Sequence, residues 1–186
     1  MDSAKHLTTA DLEQGLEYIL ESPKDNGELT LIVRRPERDQ RESVAEGYLD
    51  TERGLVGDNW LSRGNRHTPD GAADPEMQLN IMNSRVAGLV AQDPDRMQLA
   101  GDQLYLDLDL SGENLPHGTR LALGDAVIEV TEPPHTGCKK FAERFGKEAV
   151  VFVNSGFGRK QNFRGINARV IQSGDIKVGD VARKIT

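Results

Sequence analysis

The one cysteine of the chain, Cys138, has the surroundings that point most directly to chemistry. It follows a proline-containing turn over residues 133–137 and precedes two lysines and an amphipathic stretch in which Phe141 and Phe145 are four residues apart. This spacing predicts a short helix that begins beside the thiol. Helix N-terminal amides and nearby lysines favour thiolate over thiol. A thiolate can act as a nucleophile, carry sulfur or bind a soft metal, whereas the alternative for a lone cysteine is a small buried hydrophobic residue.

Length and composition restrict the class of protein. The 186 residues suit one domain with a real core, and 37% hydrophobic but only 5% aromatic residues imply an aliphatic core. The net charge of -7 argues against general binding to nucleic acid or anionic membranes. A single cysteine excludes an intrachain disulfide, and no secretory signal or membrane-spanning apolar run is found. We therefore expect a cytoplasmic protein, since that compartment keeps thiols reduced.

The elements that must position the thiol follow from the apolar pattern. A leucine and isoleucine stripe predicts a helix over 8–20, capped by Thr8 or Thr9. Alternation over 104–110 predicts a half-buried strand, and Gly124-Asp125 predicts a hairpin between 120–123 and 126–131. Residues 34–42 are dense in charge and are predicted to form an exposed loop, and the polar residues 62–76 are predicted to form a long loop. Other predicted elements are strands over 29–33, 77–82, 168–172, 176–178 and 181–185, a helix over 84–91, and a helix or strand over 149–153. This succession predicts a mainly β fold, a β-barrel or curled sheet decorated by a few short α-helices.

A series of short motifs also recurs in a defined order over about residues 50–182. They are Gly-Leu-Val-Gly-Asp at 54–58, Gln-Leu-Asn-Ile-Met at 78–82, Gly-Asp at 101–102, Gly-Glu-Asn-Leu at 112–115, Gly-Thr-Arg-Leu at 118–121, Gly-Asp-Ala at 124–126, Cys-Lys-Lys-Phe at 138–141, Gly-Ile-Asn-Ala-Arg-Val at 165–170 and Val-Gly-Asp at 178–180. In this order they resemble the MOSC domain, the C-terminal module of molybdenum cofactor sulfurases. Cys138 falls where that family places its cysteine.

The resemblance implies a MOSC-type β-barrel over residues 46–186, with residues 1–45 forming a helix and a strand packed on it. It also implies that Cys138 is the catalytic residue, as ligand of molybdenum in a pterin cofactor (molybdopterin) or as carrier of a persulfide. Relatives include reductases of N-hydroxylated compounds and the tails of sulfurases. Pyridoxal phosphate is associated only with the family, because this chain has no room for the pyridoxal-phosphate domain of the full sulfurases. The chain departs from the pattern at Asn59-Trp60, where many members have a histidine, and at Gly137, where proline is usual.

A pterin cofactor needs cations or amides for its phosphate, amide side chains for its ring edges and one soft ligand for its metal. The resemblance therefore implies Cys138 as the metal ligand and a set of cofactor-binding candidates, which are Arg63, Arg66, His67, Asn80, Asn114, Lys140, Arg164 and Arg169. Asp58 could orient an arginine and His135 could assist proton transfer. Each has an ordinary alternative, because loop arginines and histidines are often solvated and Asn114 can simply cap a turn.

Three functions remain open. The first is a molybdenum-cofactor protein, as a reductase of N-hydroxylated compounds served by a separate electron-donor protein. The second is a sulfur carrier loaded by a cysteine desulfurase, and the third is a non-enzymatic module that binds a partner or an anionic ligand. One cysteine cannot hold an iron–sulfur cluster, and the four histidines show no zinc-ligand spacing.

Overall fold

Seven strands close into a β-barrel in the computed structural model, which describes residues 6–185. The strands in chain order are β1 (Gly27–Arg34), β2 (Glu42–Val44), β3 (Glu46–Asp50), β4 (Gly54–Leu55), β5 (Leu79–Asn83), β6 (Leu104–Asp107), β7 (Arg120–Leu123), β8 (Ala126–Val130), β9 (Ile166–Gln172), β10 (Gly174–Lys177) and β11 (Val181–Ile185). Around the barrel the order is β1, β11, β7, β8, β9, β5 and β6, and β6 pairs with β1 again to close the ring.

The neighbouring barrel strands are antiparallel except for β5 and β6, which run parallel. A parallel pair needs a crossover connection, and helical segments between β5 and β6 supply it. The short β2 adds to β1 outside the ring, and β3, β4 and β10 form a separate three-stranded sheet.

The helices are short, and residues of several of them pack in an apolar cluster against the barrel. They are α1 (Thr9–Gln14), α2 (Leu16–Leu20), α3 (Trp60–Arg63), α4 (Ser84–Ala91), α5 (Pro94–Met97), α6 (Lys139–Phe145), α7 (Lys147–Asn154) and α8 (Gly156–Lys160), with 3-10 turns at Pro75–Met77 and Gln98–Ala100. Thr8 caps α1 in a reciprocal arrangement with Asp11, and Asn83 caps α4. The helix predicted over 8–20 is divided at Gly15 into α1 and α2.

Two apolar clusters build the core. Leu29, Leu104 and Leu106 belong to the cluster inside the barrel. Tyr105 and Phe141 belong to a second cluster, in which residues of the helices pack against outward-facing barrel residues. Tyr105 is fully buried, so the strand predicted to be half-buried is covered on both faces here. The second cluster anchors α6, and therefore the segment that carries Cys138, to the barrel wall.

The predicted β-barrel with short helices is confirmed, with helices and strands covering about equal parts of the chain. The hairpin at Gly124-Asp125 joins β7 to β8, and residues 149–153 are helical within α7. Strand β1 pairs with β6 and β11, so residues 27–34 are part of the barrel itself. Residues 1–5 of the predicted N-terminal segment 1–45 and residue 186 of the predicted domain 46–186 lie outside the described residues.

Candidate functional site

Cys138 is the N-cap residue of α6, as the sequence pattern predicts. Its backbone is extended while the next residue is helical, and its side chain is exposed. The helix is held in place by Phe141 and Phe145, which are buried and whose ring centroids are 4.9 Å apart. The thiol is therefore held at the surface by a packed helix.

A cavity of about 610 Å³ opens beside this cysteine. It is formed by the loop after β1, by α3 and its flanking residues, and by the start of β5. The segments before β6 and before β9 and the start of α6 complete its wall. The lining residues are Arg35, Glu37, Arg38, Asp39, Arg41, Asn59, Arg63, Arg66, Asn80, Ala100, Gly101, His135, Cys138, Lys140, Phe141, Arg144 and Arg164. Among the described residues this wall carries eight arginine or lysine side chains, so the site is strongly cationic although the chain is acidic.

Arg35 forms one part of the cavity wall and is fixed by a buried carboxylate. Its Nε and Nη2 donate to Asp58 at 2.7 and 2.8 Å, and the Asp58 side chain is 0% exposed. Its Nη1 donates to Asn80 Oδ1 at 3.2 Å and to the Gly101 carbonyl at 3.0 Å. The Asp58 carboxylate also accepts the backbone amides of Arg35 and Trp60. These contacts tie the ends of β1, α3 and β5 together and hold the guanidinium rigidly.

Arg164 forms a second fixed part of the wall. Its Nη1 donates to both oxygens of Asp102 at 2.9 and 2.7 Å, and its Nη2 donates to the Ala100 carbonyl at 3.0 Å. The guanidinium lies over the Phe141 ring, 5.0 Å from its centroid. His135 completes the cluster, with Nε2 2.8 Å from Asp102 Oδ1.

Charge and burial determine the protonation states in this cluster. Burial alone would raise the pKa of Asp102, but the charges of Arg164 and His135 and their hydrogen bonds outweigh it and lower that pKa to about 2. Burial, and next the charge of Arg164, lower the pKa of His135 below its ordinary value. At neutral pH we therefore assign an ionised Asp102 and a neutral His135.

Other cations around the cavity lack a carboxylate of their own. Within residues 6–185, Arg41, Arg63 and Arg66 form no salt bridge. Arg63 keeps contact with solvent at the mouth of the cavity, yet enclosure and then the charge of Arg35 lower the pKa of its guanidinium. Enclosure and then the charge of Arg144 do the same to the pKa of Arg41. A bound anion would relieve this mutual repulsion.

Asp39 lies at the rim, on the loop between β1 and β2. Its Oδ1 accepts from Lys140 Nζ at 2.7 Å and lies 3.8 Å from Arg144 Nη2. Because all these groups are accessible, the contact is a surface ion pair of small net energy. The carboxylate can therefore give way to another anion at little cost.

The structure brings together most of the residues that the sequence singled out. Cys138, Arg63, Arg66, Asn80, Lys140 and Arg164 line the same cavity. His67 lies on the exposed loop beside it, and its Nε2 accepts a hydrogen bond from Arg66.

The structure places Asn114 and Arg169 away from this cavity. Asn114 stabilises a turn, donating to the carbonyls of Lys24 and Asp109 and accepting from Lys184. Arg169 is on β9 and pairs with Glu76 and Glu129. Both side chains thus have structural partners.

Other residues of the site were missed by the sequence reasoning. The prediction that residues 34–42 are an exposed loop is wrong at Arg35, which is only 5% exposed because it pairs with Asp58. Two sequence features could have indicated this pair. Arg35 comes directly after an apolar strand, and Asp58 ends the Gly-Leu-Val-Gly-Asp motif. Asp102, in the Gly101-Asp102 motif, had no assigned role and is the centre of the Arg164 cluster.

Comparison with known protein families agrees with this geometry. The family model described as "MOSC domain" matches residues 75–183, which is more than half of the chain and includes Cys138, His135 and Arg164. The chain belongs to the MOSC domain family. No curated protein matches this MOSC sequence.

Solved structures share the fold of this MOSC protein. The YUAD protein from Bacillus subtilis is 14% identical, with 84% of this chain and 94% of that chain covered and a TM-score of 0.59. YiiM from Escherichia coli is 20% identical, with 86% and 70% covered and a TM-score of 0.53. YiiM from Geobacillus stearothermophilus is 15% identical, with 86% and 75% covered and a TM-score of 0.56. At these identities the likeness concerns the fold alone.

Two further findings limit the chemistry of the described chain. Within residues 6–185 no helix is both long and apolar enough to cross a membrane. The same residues contain no cluster of three or more histidine, cysteine, aspartate or glutamate side chains that could enclose a metal ion.

Proposed function

We propose that this MOSC protein binds the molybdenum cofactor (molybdopterin) in the cationic cavity, with Cys138 as the protein ligand of the metal, and that it reduces N-hydroxylated compounds. The observation that carries the proposal is the position of Cys138, which lines a cavity whose wall holds more cations than carboxylates, with Arg35 and Arg164 fixed by buried carboxylates. Electrons would come from a separate electron-donor protein. The activity is proposed to operate in the cytoplasm, where reducing conditions keep the thiol free.

The residues present fit such a cofactor. A volume of about 610 Å³ lies within the range of pockets for small molecules of this size. Arg164 and Asn59 both line the cavity, and the buried Nε of Arg164 and Oδ1 of Asn59 have no hydrogen-bond partner in the described chain, so one donor and one acceptor beside the cavity are unsatisfied. A metal that brings sulfur ligands from its own cofactor needs only one thiolate from the protein, and Cys138 lies on the cavity wall to supply it.

Each part of the wall would have a distinct role. Arg63 and Arg66 at the mouth, with Arg41, would bind the phosphate through charge-assisted hydrogen bonds. Asn80 and Asn59 would read the edges of the pterin ring. Arg35 and Arg164 are held by Asp58 and Asp102, so they would present fixed positive charge without reorganising. When bound, the molybdenum would supply the two-electron redox chemistry.

The test is the metal and pterin content of protein purified from a host that makes the cofactor. We expect near-stoichiometric molybdenum and pterin in the wild type and loss of molybdenum in Cys138→Ser. Because Cys138 is exposed, the serine variant should unfold at the same temperature as the wild type, which is the control for folding. Molybdenum content that is unaltered by the substitution would refute the assignment of Cys138 as ligand.

A second function is favoured by a different observation. Cys138 is exposed and stands at the end of a helix, where a protein partner can reach it. We propose as the alternative that Cys138 accepts sulfur from a cysteine desulfurase and transfers it as a persulfide. After incubation with a desulfurase and cysteine, mass spectrometry should find one added sulfur on Cys138. A wild type without molybdenum that forms this adduct would support the carrier, and one that forms no adduct would count against it.

A further inference from the structure

His135 is shared by two cavities. It lines the cationic cavity together with Cys138, and it also lines a second cavity of about 530 Å³ on the other side of the segment 130–135. The wall of the second cavity contains the apolar residues Leu115, Val130 and Ile166 as well as several charged ones. The imidazole therefore stands where the two spaces adjoin.

The ring is held by one nitrogen only. Nε2 lies 2.8 Å from Asp102 Oδ1, and Asp102 is in turn held by Arg164 at 2.7 Å. An ionised carboxylate can only accept, so Nε2 carries the hydrogen and Nδ1 of the neutral ring has a free lone pair. Within residues 6–185 no group forms a hydrogen bond with His135 Nδ1.

No other described group on the wall of the cationic cavity is suited to exchange a proton near neutral pH. Arginine side chains keep their protons in proteins. Lys140 is engaged by Asp39, and Cys138 is the proposed metal ligand. Glu37 is exposed at the rim, away from the buried His135–Asp102 pair.

We propose that His135 is the proton-transfer residue of this site, positioned by Asp102 and Arg164. This rests on the proposed function. Reduction of R–NH–OH to R–NH2 and water consumes two electrons, from the electron-donor protein, and two protons. His135 takes a proton at Nδ1 from solvent and gives it to the hydroxyl oxygen as the N–O bond breaks. That oxygen leaves as water, the nitrogen takes the second proton from solvent, and the imidazole returns to its neutral form.

The charged groups around His135 determine the pH dependence. Asp102 stabilises the imidazolium, whereas Arg164 and Arg35 oppose it, and burial also disfavours the charge. The pKa of His135 therefore lies below its ordinary value of 6.5. The groups facing it from the second cavity are Glu113, His117, Glu132, Arg159 and Lys160. Because the proton donor must be protonated, kcat should fall as pH rises through this depressed pKa.

The first test needs no cofactor. Nitrogen-15 NMR of histidine-labelled wild type at pH 7 should show His135 as the neutral tautomer with hydrogen on Nε2 and a bare Nδ1. A signal from His117, which lies in the second cavity and contacts the Thr131 carbonyl through Nδ1, serves as the comparison. A hydrogen on Nδ1 of neutral His135 would overturn the proposal.

The second test compares His135→Gln with His117→Gln. Glutamine keeps a donor for Asp102 but cannot carry a proton. With N-phenylhydroxylamine as substrate and reduced methyl viologen as electron source, we expect kcat of His135→Gln to fall roughly 100-fold or more, with KM and molybdenum content unchanged. The fall of kcat with rising pH should disappear in His135→Gln but not in His117→Gln. The His117→Gln variant should also keep the wild-type rate.

The outcomes separate the two proposals. A wild type that takes up no cofactor refutes the proposed function and this inference with it. A loaded His135→Gln variant with kcat within about threefold of the wild type and the same pH profile refutes only the role of His135.

Discussion

Replacing Asp102 by asparagine should test the buried cluster most directly. The Asp102 side chain is 0% exposed and that of Arg164 is 7% exposed, so the substitution would leave a buried guanidinium without its counter-ion. Removing one partner of a buried ion pair costs about 3–5 kcal/mol. For a domain of this size we expect a fall in Tm of roughly 6–20 °C.

The dependence on pH gives a second magnitude. The pKa of Asp102 is lowered from 3.8 to about 2, which corresponds to about 2 kcal/mol of folding free energy. Because the folded-state pKa is depressed, this contribution is complete above pH 3.8 and is lost as the pH falls towards 2. The stability difference between wild type and Asp102→Asn should therefore shrink by about 2 kcal/mol between pH 5 and pH 2.

Urea denaturation at several pH values would measure both effects. Glu143→Gln is a matched control, since Glu143 pairs with Lys139 on the exposed face of α6 and its loss should barely alter stability. The double variant Asp102→Asn, Arg164→Met should recover about 2 kcal/mol or more of the loss, because it removes the unpaired charge. A loss below about 1 kcal/mol for Asp102→Asn at pH 7, or no recovery in the double variant, would refute the reasoning.

Three other predictions concern the backbone, the core and the cationic mouth. In urea titrations, Gly165→Ala should destabilise the protein by about 2 kcal/mol or more, because φ of Gly165 is +118° and a Cβ would clash with the Ile81 carbonyl oxygen. Wild-type stability of this variant would contradict the prediction. Leu106→Ala should cost about 2–5 kcal/mol in the same assay, since Leu106 is fully buried in the barrel, and a cost below about 1 kcal/mol would mean that the barrel interior repacks. Arg63→Gln should weaken the binding of orthophosphate, measured by calorimetry, roughly threefold to fivefold. Arg53→Gln, outside the cavity, should leave this affinity unchanged. Equal effects of the two substitutions would show that only the net charge of the protein matters.

Local patterns were sufficient for much of the fold. The hairpin at Gly124-Asp125, the helix over 84–91 and the helix beginning beside Cys138 follow from turn chemistry, capping and apolar spacing, which act within a few residues. Local patterns did not predict that β1 pairs with β11 and so closes the barrel. That pairing joins segments from opposite ends of the chain, and the sequence of neither strand specifies which strand it pairs with.

The same distinction between local sequence and tertiary structure applies to the candidate site. The sequence by itself determined that Cys138 stands at a helix start and that the ordered motifs around it resemble the MOSC family. Only the tertiary structure decided which cations share its cavity, bringing in Arg35 from a segment predicted to be exposed and leaving Asn114 and Arg169 elsewhere. The physical reason is that a buried arginine requires a carboxylate. The carboxylates that stabilise Arg35 and Arg164 are Asp58 and Asp102, which only the closed barrel brings within hydrogen-bonding distance of them.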